Sequence, residues 1–199
     1  MIEVTKTFLP DEDEYMARVH DIWKSGWITN HGKAVGQLEE QVAQFLGIPG
    51  VLAMCNGTIA LQVAIETLGL KGEVITTPFS YVATTSSLVW QKCRPVFVDI
   101  DGTDLNIDPN LIEKAITPET TGIVATHVYG NPCDTDAISD IASAHGLKVL
   151  YDCAHGFGAT YQDRCLAEFG DAATLSFHAT KIFHTIEGGA FCSSNQEYM

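Results

Sequence analysis

Short, continuously apolar runs alternate with segments of helical period along most of this chain, and that rhythm narrows the fold more than any other feature. Val51–Cys55, Glu73–Thr77, Pro95–Ile100, Ile123–Val128 and Lys148–Asp152 read as strands. Before and between them, helices are predicted over Pro10–Lys24, opened by a proline and acids in its first turn, over Val35–Leu46, apolar at Leu38, Val42, Phe45 and Leu46, and over Thr58–Leu68, Tyr81–Gln91, Asn110–Ile116 and Asp136–His145. Gly26, Gly47, Gly69 and Gly146 sit just past four of those helices, where a left-handed stop is cheapest. A strand without a polar side needs cover on both faces. The pattern therefore predicts an α/β fold with a mostly parallel central sheet between helical layers. Two later strands, Thr174–Phe177 and Ala190–Cys192, follow one another without a long helix, so the rhythm breaks there. No repeat, low-complexity stretch or linker interrupts the 199 residues, which read as an N-terminal segment plus one large domain over 1–199. Ser193–Met199 opens another turn and stops, so a fragment of a longer protein is expected.

Charge removes several classes of partner. With Lys plus Arg at 11 and Asp plus Glu at 25, the net charge is −14, and no basic patch exists to release counterions from phosphates. Neither nucleic acid nor an anionic membrane is expected to bind. No apolar run approaches the roughly 18 residues of a membrane span. Met1–Pro10 has one Lys and no apolar centre, so it is not read as a signal peptide. Cys55, Cys93, Cys133, Cys153, Cys165 and Cys192 are scattered singly. They are expected to be reduced, cytoplasmic and mostly buried in strands. His127, His145, His155, His178 and His184 lack the spacing of a dense ligand motif, and no metal is expected. His155–Gly–Phe–Gly158 follows an Asp and is no dinucleotide fingerprint; neither a phosphate-binding G-x-x-x-x-G-K-[ST] nor a G-x-S-x-G elbow occurs.

Ligands of a parallel sheet bind beyond the carboxyl ends of its strands, so the residues following each strand are the candidates. Asn56–Gly57–Thr58 opens a helix and has the parts of an anion cup, or is a plain turn with Thr58 as N-cap. Asp152 ends an apolar strand, where a carboxylate could hold a cationic ring nitrogen or make a structural cap or ion pair. Lys181 lies among apolar residues; it is either a surface lysine or a desolvated amine nucleophilic toward carbonyls. Gly188 and Gly189 mark a place where backbone passes close to something. An anion cup, an aromatic at a strand end, an Asp and a later Lys, in that order, match the needs of pyridoxal phosphate.

In collinear order these segments resemble the fold-type I, pyridoxal-phosphate-dependent nucleotide-sugar aminotransferases of the DegT/StrS group. The resemblance runs from Ser25–Thr29 through Asn56–Leu61, Thr77–Thr84, Pro95–Asp99, His127–Asn131, Asp152–His155 and Ser176–Lys181 to Glu187–Ala190. It implies the three-layer large domain of that fold, with the smaller C-terminal domain missing. It implies that Lys181 binds the cofactor covalently and then moves a proton, and that Asp152 keeps the pyridine nitrogen protonated. By the same likeness Tyr81 stacks on the ring, Gly57, Thr58 and Ser176 bind the phosphate, His155 lies near the ring's phenolic oxygen, and Thr29 is a substrate-side position. The reaction implied is amination of a nucleotide-linked keto-deoxy sugar, most like dTDP-4-keto-6-deoxyglucose, with an L-amino acid donor, glutamate above all. The expected setting is surface polysaccharide or lipopolysaccharide biosynthesis, by a cytoplasmic homodimer. Relatives that dehydrate sugars carry His at the lysine position; here Lys181 is present. The alternatives are a catalytically silent binding or regulatory domain and an inactive truncated fragment.

Overall fold

The computed structural model describes residues 6–199. Residues 1–5, on which part of the signal-peptide reading rests, lie outside it. Two helices come first, α1 (Glu12–Ser25) and α2 (Lys33–Leu46). α1 starts later than its proline suggested because Asp11 caps it, accepting from the backbone N–H groups of Asp13 and Glu14. The strands and remaining helices then alternate: β1 (Gly50–Met54), α3 (Gly57–Thr67), β2 (Glu73–Thr76), α4 (Val82–Trp90), β3 (Arg94–Phe97), α5 (Pro109–Ala115), β4 (Thr120–Thr126), α6 (Thr135–His145) and β5 (Lys148–Asp152). A small pair, β6 (Thr160–Tyr161) and β7 (Arg164–Cys165), precedes β8 (Ala172–Ser176) and β9 (Gly189–Ser193).

Seven strands form one sheet in the order β1-β9-β8-β5-β4-β2-β3. The run from β8 to β3 is parallel throughout, and β9 lies antiparallel to both β8 and β1. The expected mostly parallel sheet is present, and the broken rhythm is the reversed β9.

Successive strand residues divide between two cores. Ile75, Ile123, Val149 and Ala173 face one core with Val42, Ile112 and Ile138 of α2, α5 and α6. Val74, Val124, Leu150 and Ala172 face the other with Leu61, Ile65 and Leu88 of α3 and α4. The continuous apolar strands thus follow from period-two geometry with both faces buried.

Three expectations change. β4 begins at Thr120 and ends at Thr126, because His127 and Val128 leave the strand for a 3-10 turn in which Tyr129 has φ 55°. The β6–β7 hairpin falls where the sequence pattern predicts no element: its turn residues, Gln162 and Asp163, both have positive φ, a conformation usually signalled by Asn-Gly or Asp-Gly. Of the cysteines, all are free and five are buried, but only Cys165 and Cys192 lie in strands, and Cys55 is exposed. Among the described residues, no helix is long and apolar enough to cross a membrane.

Candidate active site

The carboxyl ends of β4, β5 and β8 open into a cleft of about 750 Å³, walled by the start of α3, the start of α4 and the loop between β8 and β9. Gly57, Thr58, Tyr81, Asp152, His155, Ser176 and Lys181 all line it, although they are drawn from across the chain. Thr29 does not; it is exposed in the turn between α1 and α2.

The anion cup forms at the N-terminus of α3. Asn56, not Thr58, caps that helix, its side-chain oxygen accepting from the Ile59 N–H at 2.8 Å. The cap leaves the amides of Gly57 and Thr58 at the positive end of an 11-residue helix. A Cβ on Gly57 would stand 3.1 Å from the Ser176 Cβ, so glycine is what lets β8 close the cup. The second close approach is at Gly189, where a Cβ would stand 2.5 Å from the Asn56 carbonyl carbon.

The floor of the cleft is a row of three side chains at matching register on neighbouring strands: Thr126, Asp152 and Thr174. Asp152 is 4% exposed. Its Oδ1 accepts from the Ala154 N–H at 3.0 Å and its Oδ2 from the Thr84 hydroxyl at 2.7 Å. The Thr126 hydroxyl is buried there without a hydrogen-bond partner.

Lys181 stands on the loop that reverses the chain into β9. Backbone bonds from Phe177 to Gly188 and from Ala179 to Ile186, each 2.8 Å, close that loop. Phe183 anchors it, stacked on Phe157 at 4.6 Å and edge-on to Phe177 at 5.1 Å. Ile186 has φ 69°, a strained value for a β-branched residue. Burial lowers the Lys181 pKa below the ordinary 10.5, and the Asp152 carboxylate pulls weakly the other way. Burial also lowers that of His155, with the Lys181 charge second and Asp152 opposing. The His155 ring lies nearly parallel to that of Tyr129, centroids 6.0 Å apart, and its Nδ1 accepts from the Tyr129 N–H at 3.4 Å. Tyr81 is exposed at the N-cap of α4.

Several lining residues had no assigned role in the sequence. Thr126 and Tyr129 enter from β4 and its turn; His178, Thr180 and Glu187 enter from the Lys181 loop. His178 and Glu187 pair at 3.7 Å, and the His178 Nδ1 lies 2.8 Å from the Thr180 hydroxyl. Only cross-strand register and loop closure bring these groups together. His127 closes β4 yet faces the core: its ring stacks on Tyr151 at 4.5 Å, and its Nδ1 accepts from the Cys133 N–H at 3.0 Å.

Residues 10–199 match the DegT/DnrJ/EryC1/StrS aminotransferase family. A dTDP-4-amino-4,6-dideoxy-D-glucose transaminase of Shigella dysenteriae is 51% identical over 196 residues, covering 98% of this chain and 53% of the relative. The crystal structure of DesI in the presence of its TDP-sugar product superposes with a TM-score of 0.93 at 36% identity, over 98% of this chain and 49% of that one. The PLP form of Spr1654, a putative sugar aminotransferase of Streptococcus pneumoniae, gives 0.90 at 26% identity, over 100% of this chain and 54% of that one. The chain spans about half the length of the relatives it matches.

Proposed function

The chain belongs to the DegT/DnrJ/EryC1/StrS aminotransferase family, and from that premise we propose that the protein aminates a nucleotide-linked keto-deoxy sugar with pyridoxal phosphate held in the cleft. The observation that carries this reading is the convergence of Lys181, Asp152 and the Gly57–Thr58–Ser176 cup on one cleft. Bound pyridoxal phosphate would supply a conjugated electron sink for exchanging an amino group between two substrates.

The cleft residues fit that group. Gly57 and Thr58 offer amides and a hydroxyl to a phosphate at the helix end, and Ser176 adds a second hydroxyl. The unpartnered Thr126 hydroxyl lies in the same floor as Asp152 and needs a polar partner. Asp152 would hold a protonated ring nitrogen, its orientation already set by two hydrogen bonds. Tyr81 offers an exposed aromatic face. Lys181, with its pKa lowered, holds a larger share of free amine near neutral pH than a solvated lysine. That amine would bind the cofactor and then carry a proton between it and the substrate. His155 would stand beside the ring's phenolic oxygen, its neutral form favoured by burial.

The substrate we infer is dTDP-4-keto-6-deoxyglucose, with glutamate as donor, in surface polysaccharide biosynthesis. Support comes from the similarity to the Shigella dTDP-4-amino-4,6-dideoxy-D-glucose transaminase and to DesI with its TDP-sugar product. Thr29, exposed in the turn between α1 and α2, would meet the substrate from outside the cleft. Six free thiols fit a reducing cytoplasm. A second copy of the chain would cover the exposed Val82, Val89 and Trp90 of α4 and Phe79 just before it.

The test is the visible spectrum after addition of pyridoxal phosphate. A lysine-bound band is expected in the wild type and absent in Lys181→Ala. Amination is then expected at C4 of the dTDP-linked keto sugar; amination at C3, or of a UDP-linked sugar alone, would overturn the substrate.

A further inference from the structure

We propose that Thr84 is a positioning residue: its hydroxyl holds the Asp152 carboxylate in the one orientation that meets the ring nitrogen of the cofactor. The inference rests on the pyridoxal-phosphate reading of the cleft.

Thr84 is fully buried at the third position of α4. A threonine hydroxyl in a helix usually turns back to a carbonyl of its own preceding turn. Here it crosses 68 sequence positions to donate to Asp152 Oδ2 at 2.7 Å. The Ala154 N–H takes the other oxygen at 3.0 Å. With one donor on each oxygen, the carboxylate plane is locked about its Cβ–Cγ bond. Each oxygen keeps a second lone-pair direction for a ligand. Asp152 is 4% exposed, so little water reaches it to replace a lost donor.

α4 is in turn tied to the helix that carries the anion cup. Gln91 Nε2 donates to the Gln62 carbonyl at 3.0 Å, and the Ser87 hydroxyl to the Thr58 carbonyl at 3.5 Å. Tyr81 occupies the N-cap position of the same helix. One rigid element therefore sets three things together: the aromatic offered to the ring face, the plane of the acid offered to the ring nitrogen, and their offset from the cup. Positioning groups act by fixing such geometry, and an error of about 1 Å is costly.

The test compares Thr84→Val, which keeps shape and removes the hydroxyl, with Thr84→Ser, which keeps the hydroxyl, in the full chain. Thr84→Val is expected to weaken equilibrium binding of pyridoxal phosphate roughly tenfold, the scale of a hydrogen bond to a charged group. The pH midpoint of the bound cofactor's visible band is expected to move up. A ring proton held less firmly repels a second proton on the same conjugated system less. Thr84→Ser should restore both to near wild type, and Thr84→Ala repeats the loss if the valine variant folds poorly. Asp152→Asn and Lys181→Ala separate the two ways to fail. If those variants abolish or shift binding while Thr84→Val matches wild type in affinity and midpoint, the role of Thr84 is overturned alone. If all of them match wild type, the cofactor reading is overturned, and Thr84 with it.

Discussion

His127 shows how little a residue type reveals before its surroundings are known. Placed at a strand end among candidate ligands, it belongs instead to the core, with one ring nitrogen serving as acceptor for Cys133 and the other buried without a partner. Burial pushes its pKa from 6.5 down to about 4. The unfolded chain binds its proton near pH 6.5 and the native state only near 4, so this contribution to stability is complete above pH 6.5 and is lost as pH falls towards 4. The shift corresponds to roughly 3 kcal/mol. In denaturant titrations at pH 7.5 and 4.5, His127→Gln should narrow the stability difference by most of that amount. An unchanged difference would show that His127 takes up its proton as readily in the folded state as in the unfolded one. Lys181 makes the opposite case. Its order after Asp152 marked it in the sequence, while its half-buried place on the wall of the cleft came only from the fold.

Element boundaries follow their caps. Helix α3 was readable from its apolar period, but its start depends on Asn56, whose side chain competes successfully with Thr58 for the exposed amides. The antiparallel β9 depends on Gly189, where a Cβ would meet the Asn56 and Gly57 backbone at 2.5 and 2.6 Å. The clash is with backbone, which cannot rotate away. Gly189→Ala is expected to destabilise the protein by roughly 2 kcal/mol or more and to weaken phosphate binding at the adjoining cup. Thermal melting and cofactor titration check the two effects, and a variant with wild-type melting would show that β1 and β9 can separate without cost. The β6–β7 hairpin was illegible for the converse reason: Gln162 and Asp163 adopt left-handed conformations that their residue types do not advertise. The turn is instead accompanied by a bond from the Gln162 amide to Asp136 at 3.0 Å, 26 positions away.

At the scale of the whole molecule, α4 exposes Val82, Val89 and Trp90 by 67, 59 and 73%. Large exposed apolar side chains of this kind are candidates for an interface. With a second copy as the cover, Trp90→Glu should convert a dimer to a monomer in sedimentation velocity. A variant that sediments as wild type would remove α4 from the interface. The order of apolar runs, read alone, determined the layered α/β architecture, because only a sheet buried on both faces produces strands with no polar side. It also determined which strand ends meet, because side chains at those ends emerge on one rim of a parallel sheet. The tertiary structure decided how those residues are arranged there. It set Asp152 under the Thr84 hydroxyl, turned His127 into the core, left Thr29 outside the cleft and brought His178 and Glu187 to the loop of Lys181. These outcomes depend on register, loop closure and burial, and the Thr84–Asp152 bond alone spans 68 positions. No local pattern encodes such distances; they arise when the sheet closes and the two cores exclude water.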